Sequence, residues 1–278
     1  MQPHRSIFHL AYMKTLTLDQ GKYLAPQYTT YHLPQLLVAV TEYKTPTPTG
    51  QWHRHENCML SYVLYGGNVE SRKNQQIERT SGCVNFYHAH EPHQNIYKQF
   101  PAKHISVEIG PDFLNKHQLQ EGDLAKVSEN NQRVGFTFTQ ILQELLSNNQ
   151  ATAQVEMLLL ELISHHLHRK PVGSHPHWLK IVREIIHDRW NEQVSLEEMA
   201  LQAGVYPSSI SKHFRKYFGC TLGHYTRQLK VTKAIERMQC TQESLTEISY
   251  YCGFADQSHF IKVFRQITGF NPKNFRRL

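Results

Sequence analysis

No apolar run in this 278-residue chain approaches the roughly 20 residues that cross a bilayer as a helix, so an integral membrane protein is not expected. Cysteine is scarce: five residues without a CxxC pair give neither a disulfide framework nor a zinc ribbon. The opening stretch, MQPHRSIFHLAYMKTLTLDQ, is broken by His4, Arg5, His9 and Lys14 and has no signal-peptide core. A cytoplasmic location follows as the simplest expectation, with Met13 as an alternative start. Catalytic signatures are also missing. There is no nucleophile elbow, phosphate-cradling Gly loop or HExxH, so no catalytic residue, enzyme activity or cofactor is expected.

What is present is enough apolar material, 40%, for buried cores, and a length that favours two domains. The net charge of +7 is unevenly spread. Residues 175–278 hold 15 Lys and Arg against 9 Asp and Glu, whereas the rest holds 15 against 14. One domain is therefore suited to a polyanion, although a solvated basic surface would look the same.

The texture up to Gly110 is short and β-like. Residues 36–40 (LLVAV), 58–65 (CMLSYVLY, before a Gly66-Gly67 turn) and 83–88 (CVNFYH) read as strands, as do the alternating Ile105, Val107 and Ile109. After Pro111 the period becomes helical. Phe138, Ile141, Leu142, Leu145 and Leu146 form one stripe, and Val155, Leu158, Leu159, Leu162, Ile163 and Leu167 a second. The second stripe suits either its own domain or a dimer. Pro171, Gly173 and Pro176 then interrupt any helix across residues 169–176, the expected linker.

The last third repeats itself. Ser195, Leu196, Glu198 and Gly204 return 49 residues later as Ser244, Leu245, Glu247 and Gly253. Ser208, Ile210, Lys212, Phe214, Arg215 and Gly219 return 50 later as Ser258, Phe260, Lys262, Phe264, Arg265 and Gly269. Each copy reads as a capping box, a short helix, a Gly turn and a second helix, which is a helix-turn-helix. The second helix of each copy exposes Ser208, Ser209, Ser211, Lys212 and Arg215, or Gln257, Ser258, His259, Lys262 and Arg265. Hydroxyls, amides and cations of this kind suit base edges and phosphates in a major groove. A helix from Leu222 to Met238 would join the copies and set the two readers about 34 Å apart along DNA.

These residues resemble the DNA-binding domain of the AraC/XylS family of transcription regulators. The likeness rests on SLEEMALQAGVYPSSISKHFRK and on ISYYCGFADQSHFIKVFRQITGFNPKNFR, about 100 of 278 residues. It implies base or phosphate contacts from Ser208, Ser211 and Lys212, and from Gln257, Ser258, His259 and Lys262. It also implies double-stranded promoter DNA as partner, activation as the usual mode, RNA polymerase as a contact if so, and a small-molecule effector. The sequence departs from the family where a Ser commonly opens each reading helix. Here Tyr206 or Ala255 stands there, with a cap worth about 1 kcal/mol lost unless Asp256 supplies it.

The first domain is more loosely similar to cupin-like barrels. His53-Arg54-His55 before one strand, and Glu91-Pro92-His93 after another, carry the likeness. In metal cupins such histidines bind a divalent cation with an acid, but residues 58–61 offer none, so no metal is assigned. Trp52, His53, His55, Tyr62, Phe86 and His93 are instead the candidates to line a ligand pocket, the three aromatics being equally suited to the core. The expected architecture is α+β with two domains. A cupin-like β-barrel (1–110) and helices (111–168, a segment that could dimerise) precede the linker (169–176) and an all-α double helix-turn-helix (177–278). The alternative is a metal-dependent cupin enzyme or metal sensor fused to the same DNA-binding domain.

Overall fold

A run such as LLVAVTEY has too many β-branched and aromatic residues for a surface helix, and it forms the central strand β3 (Leu36–Tyr43) of an eight-stranded sheet. The computed structural model describes residues 15–46, 50–73, 75–128, 132–147, 151–167 and 176–278. The Met13 start and residues 168–175, most of the expected linker, lie outside them. The chain divides into two compact units, residues 1–130 with 137–167, and residues 131–136 with 168–278.

In the first unit β1 (Leu16–Leu18), β2 (Gln27–Leu33), β4 (His53–His55), β5 (Cys58–Arg72), β6 (Gln75–Thr80), β7 (Val84–Tyr87) and β8 (His93–Ile109) complete the sheet. Two long strands curl it. β8 pairs with β3 on one side and β5 on the other, and bridges to β4 at His53 and His93. The Gly66-Gly67 pair is not a turn, as its composition suggests, because β5 runs on to Arg72. Register shifts from Val63 to Asn68 bend the strand there. Gly66 has φ +76°, and a Cβ on it would lie 2.5 Å from that of Ala102, so the close approach of β5 and β8 requires glycine.

Strand alternation gives the curled sheet two different faces. Its outer face, with Leu60, Tyr62, Ile105 and Val107, is apolar and buried. Helices α1 (Pro111–Lys116), α2 (Glu121–Ala125), α3 (Gln132–Ser147) and α4 (Thr152–Leu167) follow β8. Tyr62 stacks on Phe138 of α3 at 5.7 Å between ring centroids. Val155, Leu159, Leu162 and Ile163 of α4 are buried within the chain, so most of the second apolar stripe belongs to its own unit. The two-domain α+β architecture expected from the sequence is the one observed.

The second unit contains α5 (His177–Asp188), α6 (Leu196–Ala203), α7 (Pro207–Phe218), α8 (Leu222–Cys240), α9 (Leu245–Tyr251), α10 (Gln257–Thr268) and α11 (Pro272–Phe275). Leu179, Val182, Ile185 and Ile186 of α5 join Met199, Ile210, Phe214, Tyr225 and Leu229 in one core cluster. Ile248, Phe254, Phe260, Phe264 and Phe275 are the corresponding buried residues of the second copy. The copies also meet directly: Asn191 Nδ2 donates to the Tyr251 carbonyl at 3.4 Å, and Trp190 lies 5.6 Å from the Tyr251 ring.

Candidate nucleic-acid interface and barrel cavity

Both reading helices begin and end where the repeat places them. In the second copy Ser244 and Glu247 form a full capping box, Gly253 turns at φ +68°, and the Asp256 carboxylate accepts the His259 N–H at 2.7 Å. The first copy is less completely capped than its sequence suggests. Ser195 accepts the Glu198 N–H, but the Glu198 carboxylate turns away to Arg189. Tyr206 caps nothing at α7. Pro207 at the first helical position compensates in part, since its fixed φ suits a helix and it has no N–H to satisfy.

The α7 and α10 faces present the expected residues. Ser208, Ser211, Lys212 and Arg215 are exposed and Ser209 half-buried; Ser258, His259, Lys262 and Arg265 are exposed and Gln257 half-buried. Gln257 is held by the Thr246 hydroxyl at 2.7 Å, and His259 meets the Phe254 ring edge at 5.6 Å while remaining accessible. Other cations of the unit are matched internally: Arg189 pairs with Glu192 and Glu198, Lys233 with Glu236, and Arg237 with Glu243. Among the described residues no carboxylate pairs with Lys212, Arg215, Lys262 or Arg265, so these four remain available to phosphates.

The inner face of the curled sheet encloses a cavity of about 380 Å³. His53, His55 and His93 border it, whereas Trp52, Tyr62 and Phe86 do not. Tyr62 faces α3, Phe86 meets His88 edge-on at 4.8 Å, and Trp52 precedes β4 half-buried. Instead Tyr43, Ser61, Tyr87, Tyr97, His104 and Ser106 complete much of the wall. Period-two spacing was the available signal for Ser61, which alternates with Tyr62, and for Tyr97, four residues from His93 on one strand; His104, at odd separation, shares their face only across the register shifts between β5 and β8. Tyr43 and Tyr97 stack at 3.5 Å between centroids. β7 ends at Tyr87, and beyond it His90 turns at φ +59°. His88 meets Glu121 at 2.6 Å.

The three cavity histidines form a tight group. Alternation along β4 puts His53 and His55 on one face, and the bridge to β8 adds His93. Their potential ligand atoms all lie within 4.8 Å of one another. His53 Nδ1 lies 2.9 Å from the Gln51 carbonyl and His93 Nδ1 lies 3.0 Å from the Glu91 carbonyl. A carbonyl only accepts, so each Nδ1 carries the proton and each Nε2 keeps its lone pair. His55 Nδ1 is buried without a hydrogen-bond partner. Burial lowers the pKa of all three, that of His55 to about 3, and keeps the rings neutral. The donor set therefore fits a divalent transition metal.

A family model described as a helix-turn-helix domain matches residues 199–278. The HTH-type transcriptional activator RhaS of Shigella sonnei (strain Ss046) is 23% identical over 243 residues, covering 81% of this chain and 87% of that protein. RhaS of Escherichia coli O157:H7 gives the same identity and coverage. Among solved structures, ToxT from Vibrio cholerae is 12% identical and covers 88% of this chain and 98% of its own, with a TM-score of 0.36. An AraC-type transcriptional regulator from Chromobacterium violaceum is 24% identical and covers 36% of this chain and 89% of its own, with a TM-score of 0.35.

Proposed function

From membership of the AraC/XylS family of DNA-binding transcription regulators, to which this chain belongs, we propose that it is a one-component, ligand-responsive activator. The observation that carries this reading is the pair of reading helices, each with two exposed cations unmatched by carboxylates. Ser208, Ser209, Ser211, Lys212 and Arg215 read one stretch of double-stranded promoter DNA; Gln257, Ser258, His259, Lys262 and Arg265 read the next. Residues 1–110 bind a small-molecule effector through His53, His55 and His93, with Trp52, Tyr62 and Phe86 supporting the wall from outside the cavity. Residues 111–168 transmit the state, residues 169–176 are the linker, and residues 177–278 read DNA. Effector binding shifts the population between DNA-competent and incompetent arrangements through its different affinity for each. The relatives' printed role as activators supports activation, with RNA polymerase as the further partner. The outer face of α4, where Met157 is exposed, is the surface offered to a second copy.

On this reading the protein acts in the cytoplasm and is not an enzyme. No helix among the described residues is long and apolar enough to cross a membrane. Selection of bound genomic fragments tests the main proposal. Enrichment of a discrete promoter sequence is expected, and recovery no better than random DNA would overturn it. The second reading, a metal-dependent cupin enzyme or metal sensor joined to the DNA reader, is favoured by the three-histidine group alone.

A further inference from the structure

Hydrogen-bond direction across the cavity wall narrows what can bind there. Much of the wall spends its protons on the protein. His53 and His93 direct Nδ1–H to backbone carbonyls at 2.9 and 3.0 Å. The Tyr23 hydroxyl donates to Glu108 Oε1 at 2.5 Å, that of Tyr87 to Glu70 Oε2 at 2.6 Å, and that of Ser106 to Ser61 at 2.9 Å. Each hydroxyl and each neutral imidazole carries one proton, so these groups have only lone pairs left to offer a ligand. His55 Nδ1 and His104 Nε2 are buried without any hydrogen-bond partner. Among the described residues no Lys or Arg borders the cavity.

A negative charge stands behind the same wall. His104, Ser106 and Glu108 alternate along β8 on the inner face, and Glu108 is fully buried beside Tyr23 and opposite Met59, both of which line the cavity. Its Oε1 takes the Tyr23 hydroxyl and the Gly21 N–H, its Oε2 has no hydrogen-bond partner, and nearby Asn57 brings no charge. A buried carboxylate in this condition is stabilised by a cation close to it. Glu70, the other one, is already matched by Arg72 and Arg79. Lone pairs, tyrosine faces and an unmatched carboxylate are what an ammonium group binds through. Three acceptors about 2.9 Å from one tetrahedral nitrogen lie about 4.7 Å apart. The ring nitrogens of His53, His55 and His93 lie within 4.8 Å of one another. A bare ion would fill only that corner of a cavity of about 380 Å³, whose remaining wall, with Tyr43 and Tyr97, suits a carbon body. We infer that the effector is a small primary amine, bound as its ammonium ion with N–H groups directed to His53, His55 and His93 and with its charge balanced by Glu108. This inference rests on the ligand-responsive regulator reading and gives that reading its ligand class.

The full chain, with EDTA present throughout to exclude metal, is melted at neutral pH in rising concentrations of butylamine, butanol or butyrate. These probes share a carbon body and differ in charge. Butylamine alone should raise the melting temperature, by about 3–6 °C at ten times its dissociation constant. Glu108→Gln, which keeps an acceptor for Tyr23, should weaken butylamine binding about tenfold or more, while Glu78→Gln, on the exposed surface of β6, leaves it unchanged. The wild-type series needs no variant to fold, and melting without ligand verifies that the variants do. An equal shift with butanol, a larger one with butyrate, or none with any of the three would overturn the inference. Butylamine binding equal in Glu108→Gln and wild type would do the same. Selection of genomic fragments by the same preparation is run in parallel. Intact selection with a failed amine arm removes this inference alone, whereas amine binding without an enriched promoter removes the regulator reading and leaves the amine site.

Discussion

Single side chains at the two reading helices do unequal work. Asp256 supplies the cap that Ala255 cannot, through the His259 N–H at 2.7 Å, whereas Tyr206 is 80% exposed and caps nothing. Asp256→Ala should therefore cost about 1 kcal/mol, and Tyr206→Ala close to zero, in urea unfolding of the full chain. Equal losses would show that the caps are equivalent. In the barrel, His104 is buried against the Tyr43 and Tyr97 rings, its Nε2 has no hydrogen-bond partner, and burial holds its pKa down to about 4. A free imidazole titrates near 6.5, so the unfolded chain takes up this proton first as pH falls. The contribution of neutral His104 is full above about pH 6.5 and is lost down to about pH 4, at up to about 1.4 kcal/mol per pH unit. His104→Gln should flatten the fall in unfolding free energy over that window. An unchanged slope would assign the acid sensitivity to other groups.

At the scale of elements, the repeat conceals a difference between its two turns. Gly204 and Gly253 occupy equivalent positions with φ +65° and +68°. Around Gly204 there is nothing within 4 Å of an added Cβ, while at Gly253 that atom would lie 1.8 Å from the Asn191 carbonyl oxygen. Lys230 Nζ also donates to the Gly253 carbonyl at 2.7 Å, so this turn is fixed by both α8 and the loop before α6. Gly204→Ala should cost about 1–2 kcal/mol for the left-handed backbone alone, and Gly253→Ala about 1–3 kcal/mol more for the overlap. Thermal unfolding of the two variants decides it, and equal losses would mean that the copies are not locked together at Asn191.

The same comparison shows why some parts were legible in sequence and others were not. The need for glycine at both turns and the apolar spacing of α6, α7, α9 and α10 are local properties, so the repeat revealed them. What surrounds Gly253 comes from residues distant in sequence. Likewise, LLVAV and CMLSYVLY identified strands, but a Gly66-Gly67 pair reads as a turn unless Ala102 is known to lie beneath it. Which aromatics face the cavity was lost for the same reason. Tyr62 and Ser61 are neighbours on opposite faces, and composition alone favours the larger ring as the ligand contact. The three histidines were grouped through the likeness to cupin-like barrels, and the bridge between β4 and β8 is what joins His93 to His53 in the sheet.

For the whole molecule, net charge is a poor guide to where DNA is held, because much of it is cancelled locally. The excess of 15 basic over 9 acidic residues in the last third includes cations already paired, such as Lys233 with Glu236 at 3.0 Å and Arg237 with Glu243. Lys212, Arg215, Lys262 and Arg265 are exposed on the reading faces without such partners among the described residues. If all four meet phosphates, each releases about one counterion, and the slope of log affinity against log salt carries about −0.9 from each. Changing all four to Ala should make that slope shallower by about 3.6, with Lys262→Ala alone accounting for about 0.9. Changing Lys233 and Arg237 together should leave it unaltered, since their charge is already balanced by Glu236 and Glu243. The first set lowers net charge by four and the second by two, so a slope that fell in that two-to-one proportion would place DNA across the general basic surface. A slope that responds only to the reading-face set would place it on α7 and α10, where the repeat puts the hydroxyls and amides able to select a sequence.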